Sequence, residues 1–242
     1  MSASRPARRW IARSSAILAV VSLPVTASAQ DAATRTGPTD RAPLGLGVQG
    51  GVRVNGLTHA GAEPFSRAPV LVQGSLGVGG VVLRRQRLTL VAGPTWDLGQ
   101  TDATTRGDAT SLTLHRLTVS LEARYTLWPW LRPYVRVAPG ALHVRANVND
   151  PVLDAPFAVR TWTWTVDVAA GVAIPLGQPA SWRSFPYRFG LQVEGGYGFS
   201  GLVAMKLTPR NDDASTRSFE AIRLPDFRPA GALLRVAATL AF

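Results

Sequence analysis

The sequence predicts an all-β fold: an eight-stranded antiparallel up-and-down β-barrel that crosses a membrane, apolar outside and polar in its lumen. Three observations predict it. After residue 43 the chain holds eight segments in which apolar and polar residues alternate with period two, and almost no helical period. Their connections alternate between short turns and long polar loops. The chain also ends inside such a segment, LLRVAATLAF, with an aromatic ring on its last residue, Phe242.

Residues 1–29 read as a signal peptide. Arg5, Arg8, Arg9 and Arg13 form a basic start, Ala16 to Leu23 a short apolar core, and Ala27-Ser28-Ala29 a cleavage site. A spanning helix needs about 20 apolar residues, more than this core supplies. Its removal takes away four arginines and no acid, so the net charge falls from +11 to +7 (11 − 4). What remains is scattered, so nucleic acid is not an expected partner. The absence of cysteine excludes disulfides, thiol catalysis and cysteine metal sites. Residues 30–43, QDAATRTGPTDRAP, read as a flexible lead-in, and 44–242 as the barrel.

The first strand, 44–54, puts Leu44, Leu46, Val48, Val52 and Val54 on one face and Gln49 and Arg53 on the other. The second, about 69–83, sets Val70, Val72, Leu76, Val78 and Val82 against Gln73 and Ser75. In the third, about 87–99, Leu88, Leu90, Trp96 and Leu98 oppose Arg87, Thr95 and Asp97. In the fourth, about 111–127, Leu117 to Leu127 oppose Arg116, Glu122 and Arg124. The fifth runs from about 132 to 147. The sixth, about 159–174, sets Trp162, Trp164, Val166 and Val168 against Thr165 and Asp167, and the seventh, about 187–205, Phe189, Leu191 and Val193 against Arg188, Gln192 and Glu194. The eighth is terminal, with Leu234, Val236, Ala238, Leu240 and Phe242 opposite Arg235. Turns are expected near Arg85 and Pro129, and long loops at 55–68, 100–110, 148–158 and 206–228. The connection 175–186, with three prolines, is expected to be a rigid non-strand segment.

The wet face follows from volume. With the apolar face inward, Trp96, Trp162, Trp164, Phe189, Tyr197 and Phe199 would crowd a lumen that eight strands leave only wide enough for packed side chains. Several of these aromatics, with Trp128 and Trp130, also fall near strand ends, where girdles at membrane interfaces lie. The apolar face is therefore expected to meet lipid.

The terminal segment resembles the C-terminal assembly signal of bacterial outer-membrane barrels, and the chain from Leu44 onward resembles small eight-stranded outer-membrane β-barrel proteins of Gram-negative bacteria. Phe242, Leu240, Ala238 and Val236 fill the pattern, although Leu240 stands where that signal often carries an aromatic. The resemblance implies an outer-membrane location, reading by the barrel-assembly machinery, and outer-membrane lipid and lipopolysaccharide as surroundings. A monomer is expected. No appended domain is expected after the terminal strand, which argues against a wall-tethering role.

The polar face predicts a lumen charge network of Arg53, Arg87, Arg116, Glu122, Arg124, Arg136, His143, Asp167, Arg188, Glu194 and Arg235. A turn at Pro129 sets Glu122 opposite Arg136, an expected ion pair. Beyond Pro139-Gly140 the apolar positions change from odd to even numbers, which predicts a one-residue bulge at 139–141 and places Arg116 beside His143. Such a network is expected to plug the lumen rather than form a narrow pore.

No nucleotide, zinc or hydrolase-elbow motif is present, and no metal or cofactor is expected. Ser111, Thr113 and His115 share one face of the fourth strand. Some barrels of the resembled kind are lipid A-modifying enzymes with a hydroxyl and a histidine at the outer rim, but their His-then-Ser order is absent here, as is an acid to orient His115. The expected function is a structural, adhesive or surface-binding role through the extracellular loops. Loop arginines Arg106, Arg145, Arg160, Arg210 and Arg217 are candidates to meet lipopolysaccharide phosphates.

Overall fold

The structure is a computed structural model that describes residues 45–57, 63–66, 70–105, 108–150, 155–182, 185–209 and 222–242. The expected leader and lead-in lie outside the described residues, as do Leu44, Arg106, Arg210 and Arg217. Strands β1 (Leu46–Gly56), β2 (Val70–Arg85), β3 (Leu88–Thr105), β4 (Asp108–Tyr125), β5 (Arg132–Asp150), β6 (Ala155–Trp182) and β7 (Phe185–Ser200) follow one another. Two short strands, β8 (Lys206–Pro209) and β9 (Ile222–Arg223), precede the last, β10 (Gly231–Ala241). Neighbours pair antiparallel from β1 to β7, and β10 lies between β7 and β1, so eight strands close a ring.

Alternation decides the walls. Along β10, Ala232, Leu234 and Val236 face out while Leu233, Arg235 and Ala237 are buried inside. Leu240 pairs with Val48 of β1 and Phe189 of β7, so the terminal segment is the seam that closes the barrel. Val119 and Val135 stand 59% and 60% exposed on the outer wall, among many other exposed apolar side chains. A continuous apolar surface of that extent needs a cover, and lipid supplies one. Trp128 and Trp130 stack 5.4 Å apart beside the turn after β4.

The strands outrun their expected bounds. The β3–β4 and β5–β6 hairpins extend to Thr105–Asp108 and to Asp150–Ala155, so most of the loops expected at 100–110 and 148–158 is ladder. Residues 175–186 are likewise a hairpin: β6 runs to Trp182 and pairs with β7 through Trp182↔Phe185. A register shift between Leu176 and Ala180 lets the proline-rich stretch stay in the ladder, correcting the expectation of a non-strand segment. A smaller shift, between Val81 and Leu83, exposes Val82 and Leu83 together.

Strand β5 carries no bulge at Pro139-Gly140. The β4–β5 register is the same above and below: Thr118↔Gly140 and Leu121↔Val137 belong to one series. Proline lacks an N–H, so the ladder skips a rung without gaining a residue. Gly140 is required here, because a Cβ would lie 2.0 Å from the Leu117 carbonyl oxygen.

Candidate functional site: a two-level lumen and an aromatic rim

Inward side chains fill the barrel in two levels. The lower level, towards the short turns, is ionic. Arg53 on β1 donates through both terminal nitrogens to Asp167 on β6, one bond being 3.0 Å, and also to Asp97 on β3 at 3.1 Å and to Asn55 at 3.0 Å. Arg116 on β4 donates to the same Asp167 at 2.6 Å and to Thr165 at 2.7 Å. Asp167 thus ties strands from opposite sides of the ring. Gly198 makes room for it: a Cβ there would lie 2.9 Å from Asp167 Oδ1 and 3.1 Å from Arg53 Nη2.

Nearer the short turns, Glu194 on β7 accepts from Arg136 at 2.5 and 3.0 Å and from the Tyr134 hydroxyl at 2.9 Å. Arg235 of β10 stands 3.7 Å away and donates to Gln49 of β1. Glu122 is opposite Arg136 in the ladder, but the two do not bridge; Glu122 accepts from Arg124 on its own strand at 2.5 and 2.9 Å. The expected pair is therefore two pairs, because Arg136 is long enough to reach across to β7. Among the described residues five buried arginines face four buried carboxylates, a net +1 (5 − 4) that leaves each of these acids a cationic neighbour.

The upper level is apolar, which corrects the expectation of a polar lumen throughout. Leu112 and Leu114 of β4, Leu142, Val144 and Ala146 of β5, and Leu71 of β2 point inward and are fully buried. Connecting segments cover them. Phe65, held by Thr101 and Thr110 donating to the carbonyls of Phe65 and Pro64, packs from one side. Val203, Met205 and Phe227 pack from the β7–β10 connection, where Val203 and Phe227 exchange backbone hydrogen bonds. Strand β8 completes the cover by pairing with β6 through Phe157↔Pro209.

Two predicted lumen residues lie elsewhere. Arg87 is an exposed turn residue, because β3 begins one position later. His143 faces outward: the uninterrupted β5 register sets it opposite His115, and sets Arg116 opposite Leu142. Arg188 keeps the inward parity of Gln192 and Glu194 and sits half-buried at the short-turn mouth, opposite Ala241. Gln49 and Thr165, read from the sequence as polar-face residues only, join the network, as do Tyr134 and Asn55, which were not singled out; all four stand at alternating inward positions, which was the available signal.

On the outer wall His115, His143 and Trp162 stand in register on β4, β5 and β6. The His143 and Trp162 ring centroids are 4.8 Å apart, His115 and His143 5.9 Å, and Trp96 stacks on His115 at 6.1 Å. Ser111 and Thr113 share this face. Ser111, four residues along an extended strand from His115, is about 13 Å away at the ordinary rise, and it accepts from Asn147 at 3.0 Å. Among the described residues His115 bonds no hydroxyl, and no cluster of acids and histidines could hold a metal ion.

An antiparallel ring of eight strands with an apolar outer wall and a packed interior is a transmembrane β-barrel. No protein-family model matches the chain, and no curated protein matches it in sequence. Among solved structures it is similar to the crystal structure of neisserial surface protein A (NspA), with 11% identity over 80% of this chain and 96% of that one and a TM-score of 0.43. That likeness concerns the path of the strands alone.

Proposed function

We propose that this protein is an integral outer-membrane barrel, closed to solutes, that acts through its outward surface as a structural, adhesive or surface-binding component. The observation that carries the reading is the doubly blocked lumen. An ion or small solute would have to part the Arg53–Asp167–Arg116 cluster and then the Leu142–Met205–Phe227 plug. Breaking the first exposes buried charge, and breaking the second exposes apolar surface. With the interior closed, the rim and the β7–β10 connection are the surfaces left for recognition. The terminal segment ending in Phe242 is the part offered to the assembly machinery.

Three measurements test this. Fractionation should recover the mature chain with outer-membrane markers, and soluble periplasmic recovery would contradict the location. In planar bilayers the purified barrel should show no steady conductance. A steady current altered by Arg136→Gln or Glu194→Gln would establish a pore instead. Deleting Phe242 should reduce assembly in cells more than refolding in detergent; equal effects would remove the assembly-signal role.

A further inference from the structure

One level above the His115–His143–Trp162 row the outer wall carries a line of cations. Arg145 on β5 is directly opposite Arg160 on β6. Strand β8 pairs with β6 through Phe157↔Pro209 and Ala158↔Thr208, and that antiparallel register carried on by two residues would set Lys206 level with Arg160. Lys206 in turn is opposite Arg223 on β9. Arg160, Lys206 and Arg223 are exposed and Arg145 is half-buried. Strands lie about 4.8 Å apart, so the four charges span about 14 Å of one edge.

Among the described residues none of the four forms an ion pair. The exposed acids Asp102 and Asp226 do not bridge to them; Asp102 accepts from Gln100 at 3.3 Å. The buried Nε of Arg145 also has no acceptor. Like charges placed directly opposite on a sheet repel, and no acid among the described residues is paired with this line. Just below it, aromatic rings mark the level where a bilayer's apolar core gives way to headgroups. Cations immediately above that level meet lipid phosphates, and guanidinium forks match phosphate oxygens.

We propose that Arg145, Arg160, Lys206 and Arg223 form a binding site for the phosphates of an outer-leaflet glycolipid, the lipid A part of lipopolysaccharide, whose chains lie down the wall over His143 and Trp162. The proposal rests on the outer-membrane reading above. It commits to a membrane lipid and not to a free anion, because the cation line continues directly into the apolar belt.

The test uses the folded mature barrel in detergent, titrated with diphosphoryl lipid A and followed by native mass spectrometry and tryptophan fluorescence. Wild type should retain the lipid. The Arg145→Gln/Arg160→Gln variant should bind about tenfold or more weakly, as loss of two charge-assisted contacts implies. An Arg85→Gln/Arg87→Gln variant, with the same charge loss at the opposite end, should bind as wild type does. Equal binding by the first variant, or equal binding of a dephosphorylated lipid with the same chains, would overturn the site. Displacement by millimolar inorganic phosphate would reassign it to a free anion. Heat-dependent gel mobility checks folding, and Lys206→Gln, on the short strand β8, serves if the double variant does not fold. Recovery outside the outer membrane would defeat the location while leaving this binding intact. Lost binding with correct fractionation would defeat the site alone.

Discussion

Between Arg136 and Arg116 the barrel interior is held by charges that reach across the ring, whereas from Leu114 upward the same strands enclose Leu, Val, Met and Phe. The lower level consists of strand residues joined to other strand residues. In the upper level, strand residues are covered by chain segments folded in from the connections. Directional ion pairs fix which strands face each other and penalise any loss of one partner. Apolar packing is less particular about geometry and depends on volume. The lower level therefore joins the strands across the ring, and the upper level closes it with segments drawn from the connections.

The largest expected effect is at Asp167, which serves two buried guanidiniums. Asp167→Ala should cost about 3–5 kcal/mol in urea unfolding of the lipid-embedded barrel, as breaking a buried pair from one side does. A loss under ~1 kcal/mol would mean the lower level is not what holds the wall.

Next is the plug. Phe227→Ala should remove about 3 kcal/mol of packing. It should appear first as faster hydrogen exchange in 201–209 and 222–230 and only weakly in the global midpoint. A full global loss with no local opening would erase the distinction between the levels.

Coupling within the lower level sharpens the comparison. A double-mutant cycle of Arg136→Met with Glu194→Gln should show about 1–3 kcal/mol of interaction, as contacting residues do. The cycle of Glu122→Gln with Arg136→Met should show clearly less, since those two side chains are opposite without bridging. The reverse ranking would put the Glu122–Arg136 pair back in place.

The smallest effects contrast tolerance to added or redistributed volume. Gly198→Ala presses on Asp167 and Arg53 and should cost about 1–3 kcal/mol, whereas Leu142→Met in the plug should cost below about 1.5. Equal costs, measured by the same unfolding, would show that the ionic level yields as easily as the apolar one.

The corrections in β4 and β5 share one cause. On both strands the apolar positions change parity near His115 and Pro139. A change of parity arises either from an inserted residue or from a change of medium on both faces at once. Read along the chain as a bulge, it sent His143 inward and Leu142 outward. In the barrel the residue count is unbroken, and what changes is the surroundings: below that level the outside is lipid and the inside ionic, while above it the outside is polar and the inside a dry plug. Strand pairing alone separates the two causes.

The sequence by itself determined eight strands, their antiparallel order, the outward face of the membrane belt and the terminal strand that ends in Phe242. Those features are local: period two sorts side chains to two faces, and turn spacing pairs neighbours. It also placed Glu122 opposite Arg136, because a hairpin register needs only its turn. Only the tertiary structure decided which acid each arginine reaches, since Arg53 to Asp167 and Arg136 to Glu194 cross between strands that are not neighbours in the chain. Only it brought Phe65, Met205 and Phe227 over Leu142, set Arg145 opposite Arg160 and Lys206 opposite Arg223, and laid β8 against β6. The physical reason is closure: bending the sheet into a ring brings distant strands within one side chain's length of each other, and no alternation pattern along the chain encodes that distance.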